Sequence, residues 1–170
     1  MLTRQEYIKK FTKVVIDSVK GTGLFPSVVM AQAILESSDS YGVPGNNLLA
    51  KVYNNHFGVK ADKAWKGTKA KMQTREVING KSVMVDAYFR AYQNPEDSFR
   101  DRNAFLVNNP RYAKGGVFKS ATPQEQAERL QASGYATDPA YAIKIQSLIR
   151  ILNLKELDEL AKKNIASDLV

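Results

Sequence analysis

Three observations predict an α+β fold in one domain, mostly helical with a single β-hairpin. Apolar residues recur at helical spacing toward both ends of the 170-residue chain. Between them, over residues 72–92, the period changes to two. No repeat, low-complexity tract or linker separates these regions. The domain is expected over residues 1–153, with residues 154–170 as a charged C-terminal helix or tail. A chain of this length, 44% hydrophobic and 25% charged, can bury a core without covalent staples.

The elements follow from local chemistry. Thr3 and Glu6 form a capping box, and Ile8, Phe11, Val15 and Val19 keep helical spacing until Gly21. Pro26 suits the first turn of a second helix, and residues 28–36 are apolar almost all round, so this helix is predicted to be central and buried. Residues 37–47 read as a polar loop punctuated by Gly and Pro, and residues 48–52 as a short helix. Asn79-Gly80 lies between two alternating runs, which is a hairpin signal of the two-residue type. Three further helices are predicted to start at Asn94-Pro95, Thr122-Pro123 and Asp138-Pro139.

Composition narrows the chemistry. There is no Cys, which excludes disulfides, Cys-ligated metal and thiol catalysis, and His56 is the one His. No metal or other cofactor is expected, and carboxylates are the natural catalytic groups. The net charge of +8 suits polyanionic partners such as an acidic cell-wall polymer. No apolar run is long enough to insert in a membrane, and Arg4, Lys9, Lys10 and Lys13 interrupt any signal-peptide core. The basic residues are scattered and no recognition-helix or RNA-binding signature is present, so nucleic acid is not expected as a partner.

Two carboxylates do not fit their surroundings. Glu36 continues the stripe of Val29 and Gln32, in the last turn of a helix whose dipole disfavours negative charge there. Both effects raise a carboxyl pKa, as a general acid near neutral pH requires. In the hairpin, a two-residue turn sets Ile78 opposite Lys81 and Glu76 opposite Val83. Glu76 then shares the apolar face of Val83, Val85, Ala87 and Phe89, while Asp86 falls on the other face. One acid on a buried helix and one on a hairpin is an arrangement that cleaves glycosidic bonds.

The segment Ala31-Gln32-Ala33-Ile34-Leu35-Glu36-Ser37 resembles the helix motif of the peptidoglycan N-acetylglucosaminidases of glycoside hydrolase family 73. The resemblance continues through Leu49-Ala50, the run Asn54-Asn55-His56-Phe57-Gly58, the block Phe89-Arg90-Ala91-Tyr92, and Gly134-Tyr135-Ala136-Thr137-Asp138-Pro139 with Tyr141 and Ile145. It implies a lysozyme-like fold, its hairpin lobe flanking the active-site cleft, that hydrolyses the N-acetylglucosaminyl-β-1,4-N-acetylmuramyl bond of peptidoglycan. It assigns the general acid to Glu36, the second carboxylate to Glu76, and a helix-borne tyrosine near the acid to Tyr141. The same motifs imply a substrate site containing Tyr135, Asn54, Asn55, Phe57, Gln32 and Tyr92. The chain departs from the family after Glu36, where Ser38-Asp39-Ser40-Tyr41-Gly42 replaces a shorter Gly-Trp-Gly turn, leaving open which aromatic lines the cleft.

His56 reads as a packed residue and Asp39 as a turn residue; Trp65 reads as core or as a sugar platform. The expected partner is a peptidoglycan glycan strand, met by a monomer outside the cytoplasm. A lytic transglycosylase, which needs one acid only, and a non-catalytic wall-binding module are the alternatives.

Overall fold

The computed structural model describes residues 1–168, which form eight α-helices, one of them central to the rest, and one two-stranded sheet that projects from the helical body. The helices are α1 (Arg4–Val19), α2 (Pro26–Ser37), α3 (Leu48–Tyr53), α4 (Pro95–Asn108), α5 (Pro110–Lys114), α6 (Pro123–Ala132), α7 (Tyr141–Ile151) and α8 (Lys155–Asp168). The strands are β1 (Lys69–Ile78) and β2 (Lys81–Arg90).

The capping box of α1 is formed: the Thr3 amide donates to Glu6 Oε2 at 2.7 Å and the Glu6 amide to Thr3 Oγ1 at 3.1 Å. Every residue from Pro26 to Ile34 is buried, so α2 is the central helix its composition predicts. Around it pack Tyr7, Phe11 and Val15 of α1, Phe99 and Leu106 of α4, Leu130 of α6, and Ile145 and Ile149 of α7. The N-terminus of α2 has no cap of its own. Asp158 of α8 supplies one, accepting from the Ser27 amide at 2.8 Å and from Ser27 Oγ at 2.6 Å. Leu157 joins the core on the same turn. The charged C-terminal segment is therefore a docked helix over its first turns, because its apolar and acidic faces both have partners on α2.

The hairpin has the predicted register, with Ile78 opposite Lys81 and Glu76 opposite Val83. Asn79 and Gly80 both adopt positive φ (51° and 76°), which fits a two-residue turn matched to strand twist. One sheet face is shielded at the root, where Ala70 and Phe89 are buried, and becomes progressively wetter toward the turn. The root is tied to the segment before β1 by Ala61 N to Tyr88 O (2.9 Å) and Arg90 N to Val59 O (3.0 Å). The short helix α5 and a 3₁₀ turn at Val117–Lys119 were not predicted. Five and three residues are too few to show a period, and Asn109, which caps α5 through the Arg111 amide, gives the local signal for the first.

Candidate active site

Glu36 sits in the last turn of α2, half-buried in the wall of a cleft of about 570 Å³. The helix end around it is held by the following loop. Ser37 O accepts from the Asn46 and Asn47 amides, Ser37 Oγ accepts from the Gly45 amide, and Asn47 Nδ2 donates to Glu36 O at 2.7 Å. Asp39 organises that loop as a turn residue, accepting from the Tyr41 and Val43 amides and from Asn46 Nδ2. Burial pushes the Glu36 carboxyl above the usual carboxylate range, against the opposing pull of the Arg102 and Lys144 cations. A carboxyl so placed holds its proton nearer neutral pH than an exposed glutamate does.

The cleft is lined beside Glu36 by Phe57, Val59, Lys60, Phe105, Tyr112 and Tyr135, with Arg102 in its floor. Its aromatic lining thus comes from the segment before β1, from α4 and α5, and from the connection into α7. Tyr41, in the loop that departs from the family pattern, is 91% exposed and does not contribute. Gly134, at φ 83°, turns the chain out of α6 and delivers Tyr135 to the cleft. Behind this wall lies a buried chain of polar groups. Tyr141 Oη accepts from Gln32 Nε2 at 2.9 Å, and Gln32 Oε1 accepts from Arg102 Nη1 at 2.6 Å. Arg102 Nη1 also reaches Tyr135 Oη at 3.3 Å. Burial raises the Tyr141 phenol well above its usual pKa, and the nearby Glu36 and Tyr135 raise it further, so it acts as a neutral hydroxyl.

The other residues expected in the site are placed as follows. Phe57 and Tyr135 face the cleft, whereas Gln32 and Tyr141 stand behind it. Asn54 caps α3 in a left-handed conformation and donates to Tyr92 O at 3.0 Å. Asn55 is buried and ties Val59 O to Arg90 O, at 3.0 and 2.8 Å. Tyr92 Oη donates to Asp101 at 2.6 Å, and Asp101 also pairs with Arg90 at 2.9 Å. These three side chains brace the hairpin root against α3 and α4 and do not line the cleft with Glu36. Trp65 shares that brace, lying under the Arg90 guanidinium at 4.7 Å and beside Tyr92. His56 is packed among Tyr7, Phe11 and Phe99, with its Nδ1 2.6 Å from Tyr7 Oη. Glu76 is exposed near the turn, and the Thr74 hydroxyl donates to its Oε1 at 3.3 Å. The structure therefore does not bring Glu76 to Glu36, although the two-residue turn puts it on the shielded sheet face.

Arg102 was missed from the sequence. It lies three residues after Phe99 and four before Leu106, on the buried face of α4. A cation on an apolar stripe is the same kind of misfit that marks Glu36.

The family model described as mannosyl-glycoprotein endo-beta-N-acetylglucosaminidase matches residues 12–154. The chain is 37% identical over 155 residues to the peptidoglycan hydrolase FlgJ of Salmonella typhimurium, covering 87% of this chain and 45% of that protein. It is 38% identical over 158 residues to the exo-glucosaminidase LytG of Bacillus subtilis, covering 86% and 54%. The chain thus spans about half the length of the curated relatives it matches. Among solved structures, the catalytic domain of the autolysin Auto from Listeria monocytogenes superposes with a TM-score of 0.78 at 32% identity, covering 91% of this chain and 87% of that one. The lysozyme-like α+β architecture implied by the sequence motifs is the one found.

Proposed function

The chain belongs to the glucosaminidase family, a family of glycoside hydrolases, and from that premise we propose that it hydrolyses the N-acetylglucosaminyl-β-1,4-N-acetylmuramyl bond of peptidoglycan, with Glu36 as general acid. The observation that carries this reading is the half-buried carboxyl of Glu36, raised in pKa and set in the wall of an aromatic-lined cleft. Protonated Glu36 gives its proton to the glycosidic oxygen as the C–O bond breaks, and a water completes the displacement at the anomeric carbon. Phe57 and Tyr135 offer apolar faces to sugar rings, while Tyr141 and Gln32 hold the wall behind them. Asn54, Asn55 and Tyr92 act on substrate through the shape of the hairpin root.

Glu76 is the second carboxylate in this proposal. It takes the water's proton after the hairpin bends over bound glycan, a movement its thinly packed tip allows. That Glu76 does not line the cleft favours a second reading, a lytic transglycosylase using Glu36 alone. The two differ in product. Purified peptidoglycan is digested, the new ends are reduced with borohydride, and the fragments are identified by mass spectrometry. Reduced N-acetylglucosamine ends are expected. Anhydromuramyl ends would replace the hydrolase with the transglycosylase, and reduced muramic acid ends would contradict the assigned bond. The wall-binding reading predicts no released fragments. As a wall hydrolase the protein works outside the cytoplasm, and its +8 charge favours approach to the anionic wall.

A further inference from the structure

Arg102 is fully buried, yet among the described residues its polar partners are two neutral oxygens, Gln32 Oε1 and Tyr135 Oη. Its Nε and Nη2 have no protein partner. The guanidinium lies 4.1 Å from the centre of the Phe57 ring and 5.9 Å from that of Tyr135, which compensates part of its desolvation. A buried cation without a carboxylate partner is costly, so its presence calls for a role. Of the groups it touches, Phe57 and Tyr135 face the cleft and Gln32 backs them, and its charge pulls on Glu36 more than that of any other cation.

We infer that Arg102 is a positioning residue for the reaction, locking Gln32, Tyr135 and Tyr141 into one unit behind Glu36 and facing that carboxyl with a fixed positive charge. The inference rests on Glu36 being the acid. When Glu36 gives its proton to the leaving oxygen it becomes a carboxylate in a half-buried site, and Arg102 stabilises that anion. The other charged or titratable groups around Glu36 do not duplicate this. Lys144 of α7 is exposed and bound to Asp138 at 2.5 Å. Lys60 and Asp62 before β1, and Arg111 of α5, are exposed at the rim, where water screens them. Tyr135 and Tyr141 are neutral phenols held on the same chain of hydrogen bonds.

The test compares pH–rate profiles, kcat and KM of Arg102→Met, Arg102→Gln and Arg102→Lys on solubilised peptidoglycan fragments, with circular dichroism as the check of folding. Removing the cation takes away the larger of the two charges that oppose burial of Glu36, so its proton is held to higher pH. The neutral variants should move the alkaline limb of kcat upward by about one pH unit. Their kcat at the optimum should fall roughly tenfold, with KM changed less than about threefold. Arg102→Lys keeps the charge and loses the fork, so its limb should stay near wild type while kcat falls. A neutral variant whose limb is unmoved or shifts downward overturns the electrostatic role. Full kcat in Arg102→Lys overturns the positioning role, and this variant decides the matter if neither neutral one folds. Glu36→Gln in the same assay separates the failures: activity in that variant removes the underlying reading, whereas an inactive Glu36→Gln beside unmoved Arg102 profiles removes this inference alone.

Discussion

Glu36 and Glu76 are both acids on apolar faces, but the two regions that carry them are built differently. Glu36 ends a helix whose other residues are packed on nearly all sides, and a loop of backbone and side-chain bonds fixes its last turn. Glu76 stands on a two-stranded ribbon whose only buried positions on its own face, Ala70 and Phe89, lie at the root. Rigid burial is what makes a carboxyl hold its proton, and the helical lobe provides it before substrate arrives. The ribbon provides a face and a register but no enclosure. In the proposed mechanism the proton donor is therefore preorganised, whereas the second carboxylate depends on what the hairpin does over bound glycan.

Variants that probe the hairpin should show effects in a clear order. The largest is expected for Glu76→Gln, which should slow peptidoglycan cleavage by roughly tenfold to a thousandfold, since solvent or the substrate's acetamido group replaces part of its role. Asp86→Asn should leave the rate within about twofold, because Asp86 lies on the opposite face and pairs with Lys71 at 3.2 Å, both exposed. Steady-state rates on the same substrate check both. A crippled Asp86→Asn beside a healthy Glu76→Gln would exchange their roles.

The comparison also predicts which lobe senses acid. Burial pushes the His56 imidazole down to about 4 from 6.5, so the folded lobe favours the neutral ring. Below pH 6.5 the unfolded chain takes up the proton first. The stability is therefore fully present above that pH and is lost toward pH 4, by up to roughly 3 kcal/mol. Urea unfolding at pH 7.5 and pH 4.5 measures this loss, and His56→Asn should flatten the part of it that His56 causes. Hydrogen exchange should show the outer amides of the hairpin opening alike at both pH values once intrinsic exchange is corrected.

Much of this contrast was legible in the sequence. The Asn79-Gly80 turn and the alternation on either side fix the register, because the primed turn admits few other residue pairs. Glu36 stands out as the one charged residue of a helix that is apolar almost all round. Arg102 carries the same signal more faintly, since Phe99 and Leu106 alone make a satisfactory stripe. The roles of Asn55 and Tyr92 were not legible. Asn55 meets the Arg90 carbonyl 35 residues away, and Tyr92 meets Asp101 nine residues on in α4, so each depends on contacts between elements that local pattern does not encode. The docking of α8 was hidden for a similar reason, as Asp158 reaches Ser27 across 131 residues.

The most direct test of the central claim is Glu36→Gln assayed on purified peptidoglycan, with its thermal unfolding measured in the same preparation. The change is nearly isosteric. It should lower turnover by about 10²- to 10⁴-fold while the fold is kept. Because burial raises the Glu36 pKa, the ionised carboxyl costs stability at neutral pH, so the variant should unfold at the same or a higher temperature there, with the gain shrinking as the pH falls through the carboxylate range. A folded Glu36→Gln protein that keeps half of the wild-type activity would contradict the assignment of the acid.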